Sequence, residues 1–384
     1  MKVVHAAKFY PPVRGGMETV IGDLCDGTAD EWEVQVVAAN DRPHTVHERC
    51  GRVDVVRCAA YGLPVSVPLC PSLPWHLWKA AGDCVVLHEP NPIAGSGLWL
   101  RTPAPRLVIW HHSDLLRPWW ALPTYSRFVQ QVLYRRADCV IVSSPPLAES
   151  PLVQCAQRIA VIPFGIDLER YRRTDPERQA RVDAIRAAAP GPRLLFVGRL
   201  VYYKGLQVLL AAAHKWPGTV LIVGEGPLEA ELRAQADRLG VAHRVQFVGR
   251  VSHDDLPAYY QACEALVLPS IARTEAFGVV QVEAMAAGRP VISTRLPTGV
   301  PWVNQDGVSG LVVAPEDVAA LGTALHRLGH DDDLRRRLSD GAHRRADRLF
   351  SRDRMVRVFR DVVEAVVRSP EGLDERIAQL AAVR

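Results

Sequence analysis

Short runs of apolar, often β-branched residues alternate along this chain with segments of helical periodicity. In the first half, the predicted strands cover residues 3–7, 34–39, 53–59, 84–88, 107–111, 139–143 and 159–163. Predicted helices lie between most of them, and continuous apolar strands joined in this way form parallel sheets that are covered on both faces. The first half is therefore predicted to be a doubly wound α/β domain whose ligand lies at the carboxyl ends of the strands.

The same alternation returns after a charged stretch. From Arg193 onward the strand-like runs LLFVG, VLIVG, RVQFVG, ALVLPS and PVIST alternate with helical segments, and 384 residues are enough for two hydrophobic cores. We predict two Rossmann-like α/β domains that face each other across a cleft. The predicted division is residues 1–165 for the first domain, 166–192 for a linker, 193–350 for the second domain, and 351–384 for a helix packing back towards the first.

Composition limits the class of protein and its compartment. The chain is 48% hydrophobic and 23% charged, as in soluble globular proteins, and it has no run of about 18 apolar residues. Its 8 cysteines form no C-x-x-C pair, so buried free thiols in a reducing compartment are expected. We predict a cytoplasmic protein, with attachment to the inner face of the cytoplasmic membrane as an alternative.

An arginine-rich segment lies near the end of the chain. Ten arginines occur from Arg335 to Arg360 and could form one basic face. A solvated helix surface is the simpler interpretation, and contact with an anionic membrane is the alternative. No other feature indicates nucleic acid as a partner.

Two glutamates eight residues apart define the first candidate site. Glu275 and Glu283 lie in RTEAFGVVQVEAMAAGRP, after an apolar run that ends at Ser270. If a helix begins near Phe277, its free N–H groups and dipole suit a phosphate, and the two carboxylates could accept bonds from sugar hydroxyls. An ordinary amphipathic helix with two exposed glutamates is the alternative.

Two cations follow the first strand of the second half. Arg199 and Lys204 lie in GRLVYYKG, at a spacing that suits a diphosphate. Lys204 is conspicuous because only five of the 46 basic residues are lysines. We expect an exposed Lys204 whose replacement by alanine lowers turnover and leaves the fold intact, since exposed charges contribute little to stability.

Glycines mark further candidate loops. Gly15 and Gly16 precede a predicted helix, where the backbone could approach an anion, although a simple turn is the alternative. Gly224 opens GEGP, a tight turn into another helix. Val251 ends VGRV, a candidate edge for a nucleotide base or an ordinary strand end.

Two adjacent histidines end a strand in the first half. His111 and His112 point to opposite faces if the segment is extended, which argues against joint metal binding. One of them could position a substrate hydroxyl, and a purely structural role is equally open. Trp119 and Trp120 follow and could line an acceptor site or pack in a core.

Five motifs carry a family resemblance. In the chain positions found here, PVRGGMETV, VIPFGIDLERY, GRLVYYKG, GEGPLEAEL and EAFGVVQVE resemble the family 4 retaining glycosyltransferases of the two-domain GT-B fold. The resemblance extends from about Lys2 to Arg360. The pieces HEPNPIA, WHHSDLLR and TGVPWVNQDGVSGLVV look like bacterial transferases that build O-antigen or exopolysaccharide on a lipid-linked acceptor.

The resemblance implies roles for the second domain. Glu275 would contact donor-sugar hydroxyls, Glu283 the ribose, and Arg199 and Lys204 the diphosphate. Donor binding would also use Gly224, Val251, and the backbone around Phe277, Gly278 and Val279.

It implies roles for the first domain as well. Gly15 and Gly16 would bring backbone close to the donor phosphate, and His112 would lie beside the transferred sugar, with Asp114 orienting its loop. No protein nucleophile is expected. No D-x-D metal motif lies on a strand-end loop, and Asp331 to Asp333 are predicted in a distant polar loop, so neither a metal nor another cofactor is expected.

The implied reaction is retaining transfer of a hexose, mannose or a related sugar, from GDP-mannose or a UDP-sugar. The acceptor would be a glycan or a polyprenyl-diphosphate-linked sugar in cell-surface polysaccharide synthesis. One alternative is a nucleotide-sugar 2-epimerase on the same architecture. Another is a non-catalytic assembly partner that binds nucleotide-sugar.

Overall fold

The computed structural model describes residues 1–13, 15–62, 67–101, 106–114, 125–368, 370–375 and 377. Two compact units divide the chain, Met1–Phe164 with Arg352–Arg384, and Gly165–Ser351. Each contains a sheet whose strands run parallel, apart from one antiparallel edge strand in the first. The predicted pair of doubly wound α/β domains is therefore confirmed.

The strands are rich in valine, isoleucine and leucine, whose branched side chains favour extended backbone. They are β1 (Lys2–Ala6), β2 (Glu33–Ala39), β3 (Val46–Cys50), β4 (Val53–Cys58), β5 (Cys84–Glu89), β6 (Arg106–His111), β7 (Cys139–Val142), β8 (Ile159–Val161), β9 (Arg193–Val197), β10 (Thr219–Val223), β11 (Val245–Gly249), β12 (Ala265–Leu268), β13 (Val291–Thr294) and β14 (Gly310–Val313).

Most of the helices connect consecutive parallel strands. They are α1 (Gly16–Thr28), α2 (Leu73–Lys79), α3 (Pro92–Leu100), α4 (Gln131–Arg136), α5 (Pro145–Ala148), α6 (Leu168–Arg172), α7 (Pro176–Ala188), α8 (Leu206–Ala212), α9 (Glu229–Arg238), α10 (Leu256–Ala262), α11 (Val279–Ala286), α12 (Val300–Val303), α13 (Val318–His330), α14 (Asp332–Leu349) and α15 (Arg352–Arg368). A 3₁₀ turn, Tyr202–Lys204, precedes α8.

The strand order within each sheet defines where a ligand is expected. In the first unit the order is β3-β4-β2-β1-β5-β6-β7-β8, and in the second it is β11-β10-β9-β12-β13-β14. The order reverses between β1 and β5 in the first sheet and between β9 and β12 in the second. Open α/β sheets bind ligands outside the carboxyl ends of strands at such reversals.

The sequence did not predict β3, which pairs antiparallel with β4 at the sheet edge. Its residues, VHERC, are mostly exposed, so they lack the apolar run that identified the buried strands.

The stretch 166–192 was predicted as a linker, and the structure differs. It contains α6 and α7, and Val182 packs in a small core with Ala258 and Ala262. The charged residues that suggested a linker lie mainly on the solvent side of α7, whose apolar residues are few. The helix therefore belongs to the second unit.

The C-terminal helix α15 is part of the first unit. Its buried residue Phe359 packs against the rings of His5 and Trp110, at centroid distances of 5.9 Å and 5.5 Å. The arginine-rich segment is consequently divided, because α14 belongs to the second unit and α15 to the first. Arg345 is buried and donates to the Val303 carbonyl at 2.9 Å, so it is unavailable to a basic surface.

No described helix is both long enough and apolar enough to cross a membrane. All eight cysteines are free thiols, and six of them are buried.

Candidate functional site

The second-unit site forms where the strand order reverses. Lys204 ends the 3₁₀ turn that follows β9, and Glu275 lies in the loop that follows β12. Because β9 and β12 are neighbours in the sheet, these loops meet at one edge. Sequence spacing predicted both residues, but not that their side chains would contact each other.

Lys204 and Glu275 form a buried ion pair. The Lys204 Nζ atom lies 2.5 Å from Glu275 Oε2, and the hydroxyl of Ser270 donates to the same oxygen at 3.0 Å. Lys204 is 9% exposed and Glu275 is 8% exposed. The expectation of an exposed Lys204 was therefore wrong, because the carboxylate that follows β12 compensates the charge and allows its burial.

Two glycines allow close backbone packing around this pair. Gly205 has φ 68°, and a Cβ atom there would lie 2.0 Å from the Pro269 carbonyl oxygen. Gly224 has φ 133°, and its Cβ would lie 2.0 Å from the carbonyl oxygen of Gly198. Only glycine fits these positions without moving backbone.

Helix α11 begins beside the same strand ends. It starts at Val279, two residues later than expected, and Gly278 precedes it with φ 71°. Within the described residues, the N–H groups of Val279 and Val280 have no hydrogen-bond partner. Phe277 is 2% exposed, so its side chain belongs to the core. Free N–H groups at a helix N-terminus are suited to an anion.

Glu283 lies farther along α11 and is held by tyrosines. Its Oε2 accepts a hydrogen bond from Tyr260 at 2.5 Å, and Tyr171 hydrogen-bonds to the same carboxylate. Burial raises the pKa of Glu283 above its ordinary value of 4.5, and the two tyrosines oppose that shift. Sequence reasoning missed both tyrosines, since α6 was assigned to a linker and α10 carried no motif.

Other predicted residues lie outside this hydrogen-bonded group. Arg199 is exposed on the loop after β9 and forms no ion pair with any residue in the described ranges. Val251 is half-buried and lines a cavity of about 510 Å³ together with Ile185 and Tyr259.

The predicted glycine loop of the first unit precedes α1. Gly15 and Gly16 are exposed, and a Cβ atom at Gly15 would lie 2.0 Å from Glu18 Oε2. Burial raises the pKa of Glu18, while nearby Lys8 opposes that shift. A carboxyl group therefore already lies against the glycine that was predicted to approach a phosphate.

His112 belongs to a chain of three buried histidines. His5 Nδ1 lies 2.9 Å from His88 Nε2, and His88 Nδ1 lies 3.0 Å from His112 Nε2. His5 is on β1, His88 on β5, and His112 directly follows β6, so the chain crosses the reversal in strand order. Sequence reasoning missed His5 and His88, although each occupies one of the last two positions of its apolar strand.

The environment keeps these imidazoles neutral. Burial lowers the pKa of His5 to about 3 and that of His112 to about 3, and it also lowers the pKa of His88. The rings of Trp110 and Phe164 stack on His112 at centroid distances of 5.7 Å and 5.5 Å.

His111 makes different contacts, on the other face of β6. Its Nδ1 lies 2.7 Å from the Tyr134 hydroxyl, and its Nε2 lies 3.3 Å from Asp114 Oδ1. Asp114 also accepts from Ser150 at 2.9 Å. The side chain of Asp114 therefore contacts His111, whereas the resemblance implied a role near His112. Trp119 and Trp120 lie outside the described residues.

Within the described ranges, no group of three or more histidine, cysteine, aspartate or glutamate side chains is arranged to hold a metal. Asp331 was predicted in a polar loop, but it caps α14 by accepting from the Leu334 N–H at 2.8 Å. Asp332 and Asp333 lie in the first turn of that helix, where acidic residues favour its N-terminus.

Comparison with known proteins identifies the family. Residues 14–170 match the family described as Glycosyltransferase Family 4, and residues 179–345 match Glycosyl transferases group 1. The O-antigen chain mannosyltransferase C of Escherichia coli is 31% identical, over 96% of this chain and 100% of that protein. The D-rhamnosyltransferase WbpZ of Pseudomonas aeruginosa is 33% identical, over 91% of this chain and 92% of its own.

Solved structures share the fold. Sucrose-phosphate synthase from Thermosynechococcus elongatus superposes with a TM-score of 0.77 at 24% identity, covering 95% of this chain and 99% of that one. HepE from Anabaena, in complex with UDP, superposes with a TM-score of 0.76 at 22% identity, covering 95% of this chain and 100% of that one. The full-length relatives and both family matches show that this chain is a glycosyltransferase and belongs to glycosyltransferase family 4.

Proposed function

We propose that the protein transfers a hexose, mannose or a related sugar, from a nucleoside-diphosphate sugar to a glycan or lipid-linked acceptor in cell-surface polysaccharide synthesis, with retention at the anomeric carbon. The names of the mannosyltransferase and rhamnosyltransferase relatives support this substrate class. GDP-mannose is the preferred candidate donor, and a UDP-sugar is the alternative.

The buried contact between Lys204 and Glu275 carries the proposal. An ammonium group has three N–H donors, and within the described residues one is used by Glu275. The other two are available to the oxygens of a diphosphate. The second oxygen of Glu275 is available to a sugar hydroxyl, so the pair could hold both sides of the bond that breaks.

The residues around this ion pair would also stabilise the departing diphosphate. As the bond from the anomeric carbon to the phosphate oxygen breaks, negative charge accumulates on the leaving diphosphate. Lys204, Arg199 and the N–H groups of Val279 and Val280 would stabilise it, and each preorganised donor typically contributes a few kcal/mol. Glu283 would accept a ribose hydroxyl, with its carboxylate oriented by Tyr260.

Completion of the transfer requires no protein nucleophile. In the proposed step, the acceptor hydroxyl attacks the anomeric carbon from the face that the diphosphate leaves, and its proton passes to an oxygen of that phosphate. His112 would contact a hydroxyl of the transferred sugar. We propose that the reaction needs neither a metal nor a cofactor besides the donor.

A thermal-shift screen tests donor binding directly. GDP, UDP, ADP and their sugar conjugates should be compared, because a ligand that binds only the folded state raises the midpoint of unfolding. Arg199→Ala should abolish the shift without altering the midpoint of the free protein, since Arg199 is exposed. Failure of every nucleotide to stabilise the wild type would overturn the proposed donor class.

Product analysis separates transfer from its alternatives. Incubation with the stabilising nucleotide-sugar and a polyprenyl-diphosphate-linked sugar should release nucleoside diphosphate and lengthen the acceptor. An altered nucleotide-sugar without acceptor elongation would favour the epimerase. Binding without either product would favour the assembly partner.

We also propose that the exposed arginines of α14 and α15 bring the protein to anionic membrane at the cytoplasmic face. Sedimentation with anionic liposomes should weaken as salt concentration rises, because ions screen charges beyond about 10 Å at 0.1 M. Binding that is absent or independent of salt would reject this contact.

A further inference from the structure

We propose that His88 is a positioning residue, which couples the tautomer of His112 to its own, so that whether His112 Nδ1 donates to a ligand or accepts from it is set together with the proton position on His88. The inference rests on the proposed function in assigning His112 to the transferred sugar. The hydrogen-bonded chain itself is a property of the first unit alone.

Three side chains form this chain across adjacent strands. The nitrogen distances are 2.9 Å from His5 to His88 and 3.0 Å from His88 to His112. Ring centroids of the same pairs are 5.2 Å and 5.3 Å apart, and the planes differ by 16° and 21°. All three residues are at most 3% exposed, so water does not compete for these contacts.

The donor and acceptor count couples the three protons. A neutral imidazole has one N–H donor and one acceptor nitrogen. Each contact between two rings needs one donor nitrogen and one acceptor nitrogen, and His88 uses both of its nitrogens in such contacts. The three rings must therefore all carry the proton on Nδ1 or all carry it on Nε2.

The two arrangements give His112 opposite properties. With the protons on Nδ1, His5 donates to His88, His88 donates to His112, and His112 Nδ1–H is left as a donor. With the protons on Nε2, the direction is reversed and His112 Nδ1 is left as an acceptor. One ring cannot change its tautomer alone without breaking a hydrogen bond.

The ends of the chain are the nitrogens that remain for other partners. His112 Nδ1 and His5 Nε2 are buried and have no partner within the described residues. The His5 end packs against Phe359, an apolar neighbour. A buried polar atom without a partner costs about 1–3 kcal/mol, so a sugar hydroxyl that reached His112 Nδ1 would gain the interaction that the free protein lacks.

Neutrality is a condition for the coupling. A protonated ring has two N–H groups and no acceptor, so a charge on His88 would break one of the two contacts. Burial lowers the pKa of all three histidines and keeps the rings neutral. The arrangement therefore persists at neutral pH.

Imidazole ¹⁵N NMR of histidine-labelled protein tests the coupling, with resonances assigned by single histidine substitutions. In the wild type, His5, His88 and His112 should share one tautomer. In His88→Leu, which removes both nitrogens, the ratio of the two His112 tautomers should change from its wild-type value. A wild-type protein in which His88 and His112 differ, or an unchanged His112 in His88→Leu, would overturn the proposal.

A second substitution keeps the test decisive if His88→Leu fails to fold. His5→Leu removes only the far end of the chain, so His88 and His112 should still share one tautomer with each other. Different tautomers for these two rings in the folded variant would also overturn the proposal.

Kinetics tests whether transfer uses the coupling. His88→Leu should lower kcat about three- to tenfold, the effect of one lost hydrogen bond, with little change in nucleotide affinity. His88→Asn, whose amide can replace the contact to His112, should restore part of the loss, and exposed His214→Leu should match the wild type. Equal kcat values for His88→Leu and the wild type would exclude a role of His88 in transfer.

If the wild type transfers no sugar, the proposed function fails, and the NMR experiment still decides whether the histidine tautomers are coupled.

Discussion

The ammonium of Lys204 lies 2.5 Å from the Glu275 carboxylate, and both residues are at least nine-tenths buried. A charge in this position has two effects that an exposed cation would not have. It compensates a buried carboxylate in the free protein, and it places N–H donors where a diphosphate is proposed to bind. Stability and ligand binding therefore depend on the same contact.

Replacement of Lys204 by methionine should destabilise the protein. The carboxylate of Glu275 would remain buried without its cation, which typically costs about 3–5 kcal/mol. Urea unfolding should show this loss, and the double variant Lys204→Met with Glu275→Leu should recover most of it. Exposed Lys215→Met is the control and should change the free energy of unfolding by less than about 0.5 kcal/mol. A fully stable Lys204→Met variant would contradict the buried pair.

Alanine substitutions at Gly205 and Gly240 distinguish the cost of backbone strain from the cost of steric contact. Both have φ 68°, but a Cβ atom at Gly205 would lie 2.0 Å from the Pro269 carbonyl oxygen, whereas Gly240 has nothing within 4 Å. Gly240→Ala should cost about 1–2 kcal/mol, the cost of the left-handed conformation alone. Gly205→Ala should cost clearly more, as measured by urea unfolding. Equal losses would mean that the loop after β12 moves freely away from Gly205.

Local patterns predicted the parts of this protein that depend on short stretches of sequence. Most buried strands appeared as apolar runs, and Lys204 and Glu275 appeared in the loops that follow two of them. Their contact was not predictable from spacing, because it depends on β9 and β12 being neighbours in the sheet. The histidine chain has the same origin, since β1, β5 and β6 are adjacent only in the folded sheet. The charged composition of residues 166–192 also led to the wrong prediction of a linker, because the packing of α7 depends on one short apolar face.

Removal of the Glu283 charge should change how stability depends on pH. Burial raises the pKa of Glu283 in the folded state above 4.5, so the folded state binds more protons than the unfolded state between 4.5 and the raised value. The free energy of unfolding therefore falls as pH rises through that window. Glu283→Gln lacks this loss and should gain stability relative to the wild type, by about 1.4 kcal/mol for each unit of the shift.

Urea unfolding of Glu283→Gln between pH 4 and pH 8 measures this difference. Exposed Glu231→Gln is the matched control and should follow the wild type. Nucleotide affinity should fall about three- to tenfold in Glu283→Gln, because a neutral amide replaces the charged acceptor that we propose for the ribose. A difference in stability that is the same at every pH would show that Glu283 is not desolvated by folding.

Acid should destabilise the first unit through its buried histidines, and His5 gives the clearest sign. Its pKa is lowered by burial from 6.5 to about 3, so between these values the unfolded state binds a proton that the folded state does not. This contribution to stability is complete above pH 6.5 and is lost as pH falls. His5→Leu should reduce the slope of unfolding free energy against pH by about 1.4 kcal/mol per pH unit in urea titrations from pH 6.5 to pH 4.5.

Carboxyl groups with raised pKa values act in the opposite direction, but they are present in both proteins, so their effect cancels in the difference between the two slopes. Exposed His214→Leu should keep the wild-type slope, and an unchanged slope in His5→Leu would mean that His5 is solvated or charged in the folded state.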